Sequence, residues 1–171
     1  MKYGIFLGRF SPFHIGHQHI IDKIKSDGLE PIAIVGSANT LNANTPYHAI
    51  ERIHMLKLAN PGIQAYALDD ADCWDTWFDN LLSIIKLVVT PNLEEVVFYL
   101  HEKEEDLQSF IFRGKEFTNT SYCDVYRHEQ LNIQQVPISD IPIRAKSIRA
   151  NLEANKEYLH PKVYEYIKSK E

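Results

Sequence analysis

Cysteine is scarce: the 171 residues include two, Cys73 and Cys123. They form neither a C-x-x-C pair nor a disulfide framework, so the simplest reading is two free thiols in a reducing compartment, and a cytoplasmic location is expected. No block of like charge is present either. Lys and Arg number 18 against 23 Asp and Glu, a net charge of −5, which argues against a dedicated nucleic-acid or anionic-membrane surface. Long apolar runs are also missing. The most apolar stretch, Leu81 to Val89, contains Lys86 and is far short of the ~20 residues a membrane helix needs. The opening MKYGIFLGRF is too short and too soon interrupted by Arg9 to read as a signal peptide. Internal repeats, linkers, a Ser-His-Asp order and a metalloprotease motif are all lacking.

What is present alternates strand-like and helix-like segments. Lys2 to Leu7 and Pro31 to Val35 read as apolar strands around a helix whose buried stripe is Ile20, Ile21 and Ile24. Thr45 before Pro46 is a good N-cap followed by proline at the first helical position, and the helix to about Ala59 is expected to bury Ile50, Ile53 and Leu56. After a strand near Gln64 to Leu68, the residues Trp74, Trp77, Phe78, Leu81, Leu82, Ile85 and Val88 recur at helical spacing and are expected to be mostly core. Strands follow at Glu95 to Leu100 and Leu131 to Val136. Glu102 to Arg127 lacks a clean period and reads as loop plus irregular helix. Helix signals return at Ala145 to Asn155 and after Pro161, where Val163, Tyr166 and Ile167 make a docking face. The alternation predicts an α/β fold: a Rossmann-like, mainly parallel sheet with helices on both faces. The length suggests one domain over residues 1–171, with a C-terminal helical segment from about 145.

The run Gly8-Arg9-Phe10-Ser11-Pro12-Phe13-His14-Ile15-Gly16-His17 lies between the first strand and the first helix. A helix start leaves N–H groups unpaired and carries the positive end of the macrodipole, so it receives phosphate without lysine. His14 and His17, three residues apart, add two movable donors on one side of the first turn, and Gly16 presents no Cβ to hold a triphosphate away from the backbone. Pro12 fixes the loop that delivers them. A transition-metal site is the alternative for this pair, although no third ligand has convincing spacing. Arg9 stands beside the loop with a guanidinium suited to phosphate.

This string resembles the His-x-Gly-His signature of nucleotidyltransferases, most of all the archaeal-type nicotinamide-mononucleotide adenylyltransferases. Similar segments are Gly36-Ser37-Ala38, the run Thr45 to Arg52, Trp77 after an acidic loop, and Ile143 to Arg149. The resemblance implies an enzyme joining ATP and nicotinamide mononucleotide into NAD and pyrophosphate, with Mg²⁺ bound mainly through the ATP phosphates. It implies His14 and His17 as the catalytic pair, His17 near the α-phosphate and His14 at the triphosphate. Gly8, Arg9, Phe10 and Gly16 would lie against ATP, as would Arg52, Arg144, Lys146, Ser147 and Arg149. Ser37, Ala38, Asp70 and Trp77 would contact the mononucleotide.

Several residues keep two readings. Arg52 is a triphosphate ligand by resemblance and a solvated or ion-paired helix residue by position. Asp69, Asp70 and Asp72 read either as ribose contacts or as turn and cap residues. Of Trp74 and Trp77, one is expected to pack and the other, Trp77 by resemblance, to meet the flat nicotinamide ring. Where the family usually reads Ile-Ser-x-Thr-x-x-Arg, this chain has Ile143-Arg144-Ala145-Lys146-Ser147-Ile148-Arg149, so two cations replace two hydroxyls. Other readings are transfer to a different phosphorylated acceptor, such as phosphopantetheine, and a non-catalytic nucleotide sensor. Members of the family are often multimeric, so a homo-oligomer is consistent with the resemblance; neither a nucleic acid nor a membrane is expected as partner.

Overall fold

The computed structural model describes residues 1–101, 107–136 and 143–171. Its centre is a five-stranded sheet of β1 (Tyr3–Gly8), β2 (Glu30–Val35), β3 (Gln64–Ala67), β4 (Val96–Leu100) and, last in the chain, β7 (Ile133–Gln135). The strand order is β3-β2-β1-β4-β7 and every pairing is parallel. The chain thus moves outward from β1 in one direction and then returns to build on its other side. That reversal opens a crevice beyond the carboxyl ends of β1 and β4, the place where ligands bind in open α/β sheets.

Alternation along the strands divides the core. Phe6, Ala33, Val35, Val97 and Tyr99 face one side, where they pack with Ile20, Ile21 and Ile24 of α1 (Ile15–Ser26) and with Met55 and Leu56 of α2 (Ala49–Ala59). Ile5, Ile32, Ile34, Val96 and Phe98 face the other, against Phe78, Leu81 and Ile85 of α3 (Trp74–Val88). The period-2 geometry of a strand and the 3.6-residue repeat of a helix account for both sets. Helices on both faces and a parallel sheet are as the sequence predicts, and the α1 stripe is the one expected.

Several local expectations change. Helix α2 begins at Ala49, not at Pro46, because Glu51 Oε1 accepts the His48 amide at 3.0 Å, while the Asn42 carboxamide oxygen takes the Thr45 amide into a turn. The buried stripe is Arg52, Met55 and Leu56; Ile53 is half-buried, and Ile50 lies on the far side, 77% exposed. In α3 the core is narrower than the apolar repeat suggests: Val88 is exposed, and Trp74, Trp77 and Leu82 are half-buried. Within residues 102–127, where loop and irregular helix are expected, residues 102–106 lie outside the described residues. The remainder forms a hairpin, β5 (Gln108–Phe112) with β6 (Lys115–Thr120), followed by α4 (Cys123–His128). Arg113 and Gly114 both have positive φ, the two-residue turn that suits strand twist, but Arg-Gly lacks the usual Asn-Gly signal.

The tail is shorter in helix than expected, with α5 (Ala145–Ala150), a 3₁₀ turn and α6 (Pro161–Lys168). Val163 and Ile167 are buried and Tyr166 packs beside them, as the docking face requires. No described helix is long and apolar enough to cross a membrane.

Tyr126 of α4 is wholly buried between Phe78 and Phe98, ring centroids 5.2 and 5.1 Å away, and among the described residues its hydroxyl has no hydrogen-bond partner. A buried hydroxyl without a partner costs about 1–3 kcal/mol of desolvation. Tyr126→Phe is therefore expected to raise stability by about 1 kcal/mol in urea unfolding, and a loss of stability would contradict this account of the site.

Candidate active site

The loop from Arg9 to His17 lies at the carboxyl end of β1, where the crevice opens. His14 caps α1: its Nδ1 accepts the Gly16 amide at 3.1 Å, and His17 Nδ1 accepts the His14 amide at 3.1 Å. This is a capping box made of two imidazoles. A ring nitrogen that accepts carries a lone pair, so the proton of each neutral ring is on Nε2. The rings stack with centroids 3.7 Å apart. An ideal Cβ on Gly16 would lie 2.8 Å from His14 Cε1, so glycine here makes room for the capping ring.

The surroundings keep both rings uncharged. Phe10, Phe13 and Phe6 lie 4.9, 5.7 and 6.1 Å from the His17 ring. Burial pushes His14 down to about 4. His17 is held well below the usual histidine range by burial first, then by the nearby His14 and His101 imidazoles. Two neutral N–H donors at a helix start can receive phosphate oxygens and strengthen as negative charge develops on them. Phe10 reaches its place with a left-handed backbone, φ 53°, and packs closely over Gly8, where a Cβ would meet the Phe10 ring at 3.0 Å. The Ser11–Pro12 peptide is cis.

Beside this loop is a cleft of about 470 Å³, reached across Gly8 and Arg9 and lined also by Ser37, Asp70, Asp72, Trp74 and Trp77. Ser37 has φ 48°. Its hydroxyl donates to Asp70 Oδ1 at 3.0 Å, and Thr40 donates to Oδ2 at 2.7 Å, so both carboxylate oxygens are tied to the loop after β2. The Ala38 amide is taken by the Leu68 carbonyl at 3.0 Å. Both tryptophans face the cleft, whereas the sequence reading assigned one of them to packing.

Arg52 differs from both expectations. Its side chain is fully buried, and its guanidinium donates to the carbonyls of Tyr47 (3.0 Å), Arg9 (3.2 Å), Gly36 (2.8 Å) and Ser37 (2.9 Å). Four of the five N–H groups are thereby used on backbone, which makes it a clamp on the two loops and leaves little for a triphosphate. Burial and the neighbouring Arg9 both lower its pKa.

Arg149 reaches the loop, donating to the Ser11 carbonyl at 2.6 Å. Arg144, Lys146 and Ser147 are exposed in the first turn of α5. His101, absent from the residues the sequence singles out, directly follows β4 next to β1 and lies with its ring centroid 6.4 Å from that of Phe6; its position just past an apolar strand beside the motif strand is the available signal. Among the described residues, no group of three His, Cys, Asp or Glu side chains could hold a metal ion.

The fold and this crevice define a Rossmann-like nucleotidyltransferase architecture. The chain belongs to the cytidylyltransferase-like family, whose model matches residues 5–169. It is 35% identical over 89 residues to a nicotinamide-nucleotide adenylyltransferase of Methanolobus tindarius, covering 49% of this chain and 51% of that protein. The corresponding enzyme of Halobacterium salinarum is 33% identical over 89 residues, 49% and 50% of the two chains. This chain thus spans about half the length of the curated relatives it matches. Among solved structures, a bifunctional NMN adenylyltransferase/ADP ribose pyrophosphatase from Francisella tularensis superposes with a TM-score of 0.72 at 21% identity, over 98% of this chain and 49% of that one. NadR protein in complex with NAD and AMP-PNP gives 0.63 at 23% identity, over 92% and 44%. At those identities the likeness is one of fold.

The depressed histidines make stability depend on pH. An unfolded histidine titrates near 6.5, so on acidification the unfolded chain takes up protons first. Stability present above that pH is lost as pH falls toward about 4. His14→Asn keeps a capping side chain without a titrating ring. Its loss of urea stability between pH 7.5 and 5 is expected to be smaller than that of the parent, and equal losses would contradict the assignment.

Proposed function

We propose that this chain transfers the adenylyl group of ATP to nicotinamide mononucleotide, forming NAD and pyrophosphate. The observation that carries this reading is the adjacency of two neutral Nε2–H donors at the start of α1 and a cleft walled by two indoles. A phosphate oxygen of the mononucleotide attacks the α-phosphorus of ATP, the bond from that phosphorus to the β-phosphate oxygen breaks, and pyrophosphate departs. Positioning and electrostatics suffice for such a step, and no covalent intermediate on the protein is needed.

Placement around the loop and the cleft supports the following roles. His17 serves the α-phosphate and His14 the rest of the triphosphate, with the backbone of Gly8, Arg9, Phe10 and Gly16 against the nucleotide. Arg149, Lys146, Arg144 and Ser147 receive the β- and γ-phosphates, charge standing in for the hydroxyls that the resembled motif carries. Ser37, Ala38, Asp70 and Trp77 line the acceptor side. Arg52 serves both halves by holding the loops between them. A divalent cation, Mg²⁺ by this reading, enters on the ATP phosphates; the described side chains form no cage for it and no step is assigned to it. A solved structural neighbour contains AMP and a manganese ion, which agrees with a cation that travels with nucleotide. The paired indoles favour a planar aromatic acceptor over the flexible chain of phosphopantetheine.

Pyrophosphate release from ATP is expected with nicotinamide mononucleotide and not with phosphopantetheine. His17→Ala should lower turnover by roughly 10²–10³, the usual loss for one preorganised donor at an oxygen that gains charge, with little change in melting temperature. Near-normal turnover in the folded variant would remove His17 from the mechanism. Absence of turnover with the mononucleotide in the parent protein, despite tight ATP binding, would favour the sensor.

A further inference from the structure

The cleft's aromatic wall does not end at the tryptophans. Trp77 meets Trp74 edge-on at 5.4 Å, Trp74 rests on Phe110 of β5 at 5.2 Å, and Phe110 stacks on Phe117 of β6 at 5.2 Å with the rings 12° from parallel. The hairpin that supplies these two phenylalanines pairs with no strand of the main sheet and forms a separate two-stranded unit. Its hold on the body therefore comes from side chains.

Phe112 is buried against Phe78 with ring centroids 5.5 Å apart, and Arg113, at the hairpin turn, adds a polar hold on α3. Its amide donates to Asp75 Oδ1 at 2.9 Å, its Nη2 to Asp79 Oδ1 at 2.6 Å, and its Nε to Glu129 Oε1 at 2.6 Å. Asp75 directly follows Trp74, and Asp79 is one turn further along α3, so the turn is pinned along the helix half that carries both indoles. Glu129 extends the anchor to the end of α4. Without the guanidinium, Asp79 and Glu129 would lose the cation that joins α3 to α4.

We propose that the β5–β6 hairpin is a buttress that sets the angle of the tryptophan wall, making Phe110 and Arg113 positioning residues for acceptor affinity although neither lines the cleft. The effect falls on the acceptor rather than on ATP, because the hairpin supports α3 while the phosphate loop is supported by α1 and Arg52. This inference rests on reading the tryptophan cleft as the acceptor site.

The chain has only two tryptophans, both in the wall, so emission excited at the red edge of the absorption band, where its nine tyrosines do not absorb, reports the wall alone. The parent, Arg113→Gln, Phe110→Ala and Phe110→Tyr are compared in two ways: emission without ligand, and Michaelis constants for nicotinamide mononucleotide and ATP. In Arg113→Gln and Phe110→Ala we expect red-shifted emission. The Michaelis constant for the mononucleotide should rise about 3- to 10-fold, in line with the loss of one well-placed aromatic contact, while that for ATP stays within about twofold. Phe110→Tyr, which keeps the ring, restores both. Unchanged emission and an unchanged acceptor constant in Arg113→Gln would overturn the proposal even if Phe110→Ala fails to fold. An equal rise for both substrates would overturn it too, because a general loss of structure would then suffice. If the parent makes no NAD, the adenylyl-transfer reading fails, and the unliganded emission still decides whether the hairpin sets the wall.

Discussion

Everything in the crevice hangs on a buried guanidinium. Arg52 donates to carbonyls of the loop after β1 (Arg9), the loop after β2 (Gly36 and Ser37) and the entry to α2 (Tyr47). A buried charge is tolerated only when its hydrogen bonds are well satisfied. Among the described residues, no carboxylate pairs with it within ion-pair distance, so the carbonyl dipoles carry that task. The planar fork of arginine can meet several acceptors in fixed directions, and the single ammonium of lysine cannot. The left-handed backbones of Phe10 and Ser37 flank the clamp, one on each loop, and such conformations persist where the surroundings over-determine them.

With the loops fixed, the two halves acquire their chemistry locally. Two histidines spend their Nδ1 lone pairs on capping α1 and present Nε2–H, and the phenylalanines around them exclude the water that would favour protonation. Neutral donors suit the proposed transfer, because they strengthen with developing charge without holding a departing anion as a fixed cation would. Across Gly8 and Arg9, Asp70 and the tryptophans build an aromatic cleft. The hairpin behind that cleft adds support that is independent of the main sheet.

The sequence was most legible where one physical cause acts alone. The strands of the central sheet and the Ile20, Ile21 and Ile24 stripe follow from period, and both appear in the structure. It was least legible where long-range partners decide. The role of Arg52 depends on three carbonyls at least 15 residues away in sequence, at Arg9, Gly36 and Ser37, which no local pattern encodes. Ile50 is exposed because α2 docks on the sheet through the face that carries Arg52, Met55 and Leu56, and the helical repeat leaves Ile50 on the opposite side. The hairpin went unread because an Arg-Gly turn is a weak signal and its outer positions, such as Ile111, alternate poorly in polarity. Spacing cannot say which part of an apolar stripe faces a cleft, and both tryptophans line this one while Trp74 also packs on Phe110.

The central claim is that one arginine organises both substrate halves through the backbone instead of binding phosphate itself. The most direct test is calorimetric titration of Arg52→Lys with ATP and, separately, with nicotinamide mononucleotide, at a temperature where the variant remains folded. Lysine keeps the charge and loses the fork. The account predicts that both affinities fall by about tenfold or more, each the equivalent of about 1.4 kcal/mol, together with a lower melting temperature. A variant that binds both ligands as the parent does, or that weakens for ATP alone, would contradict it.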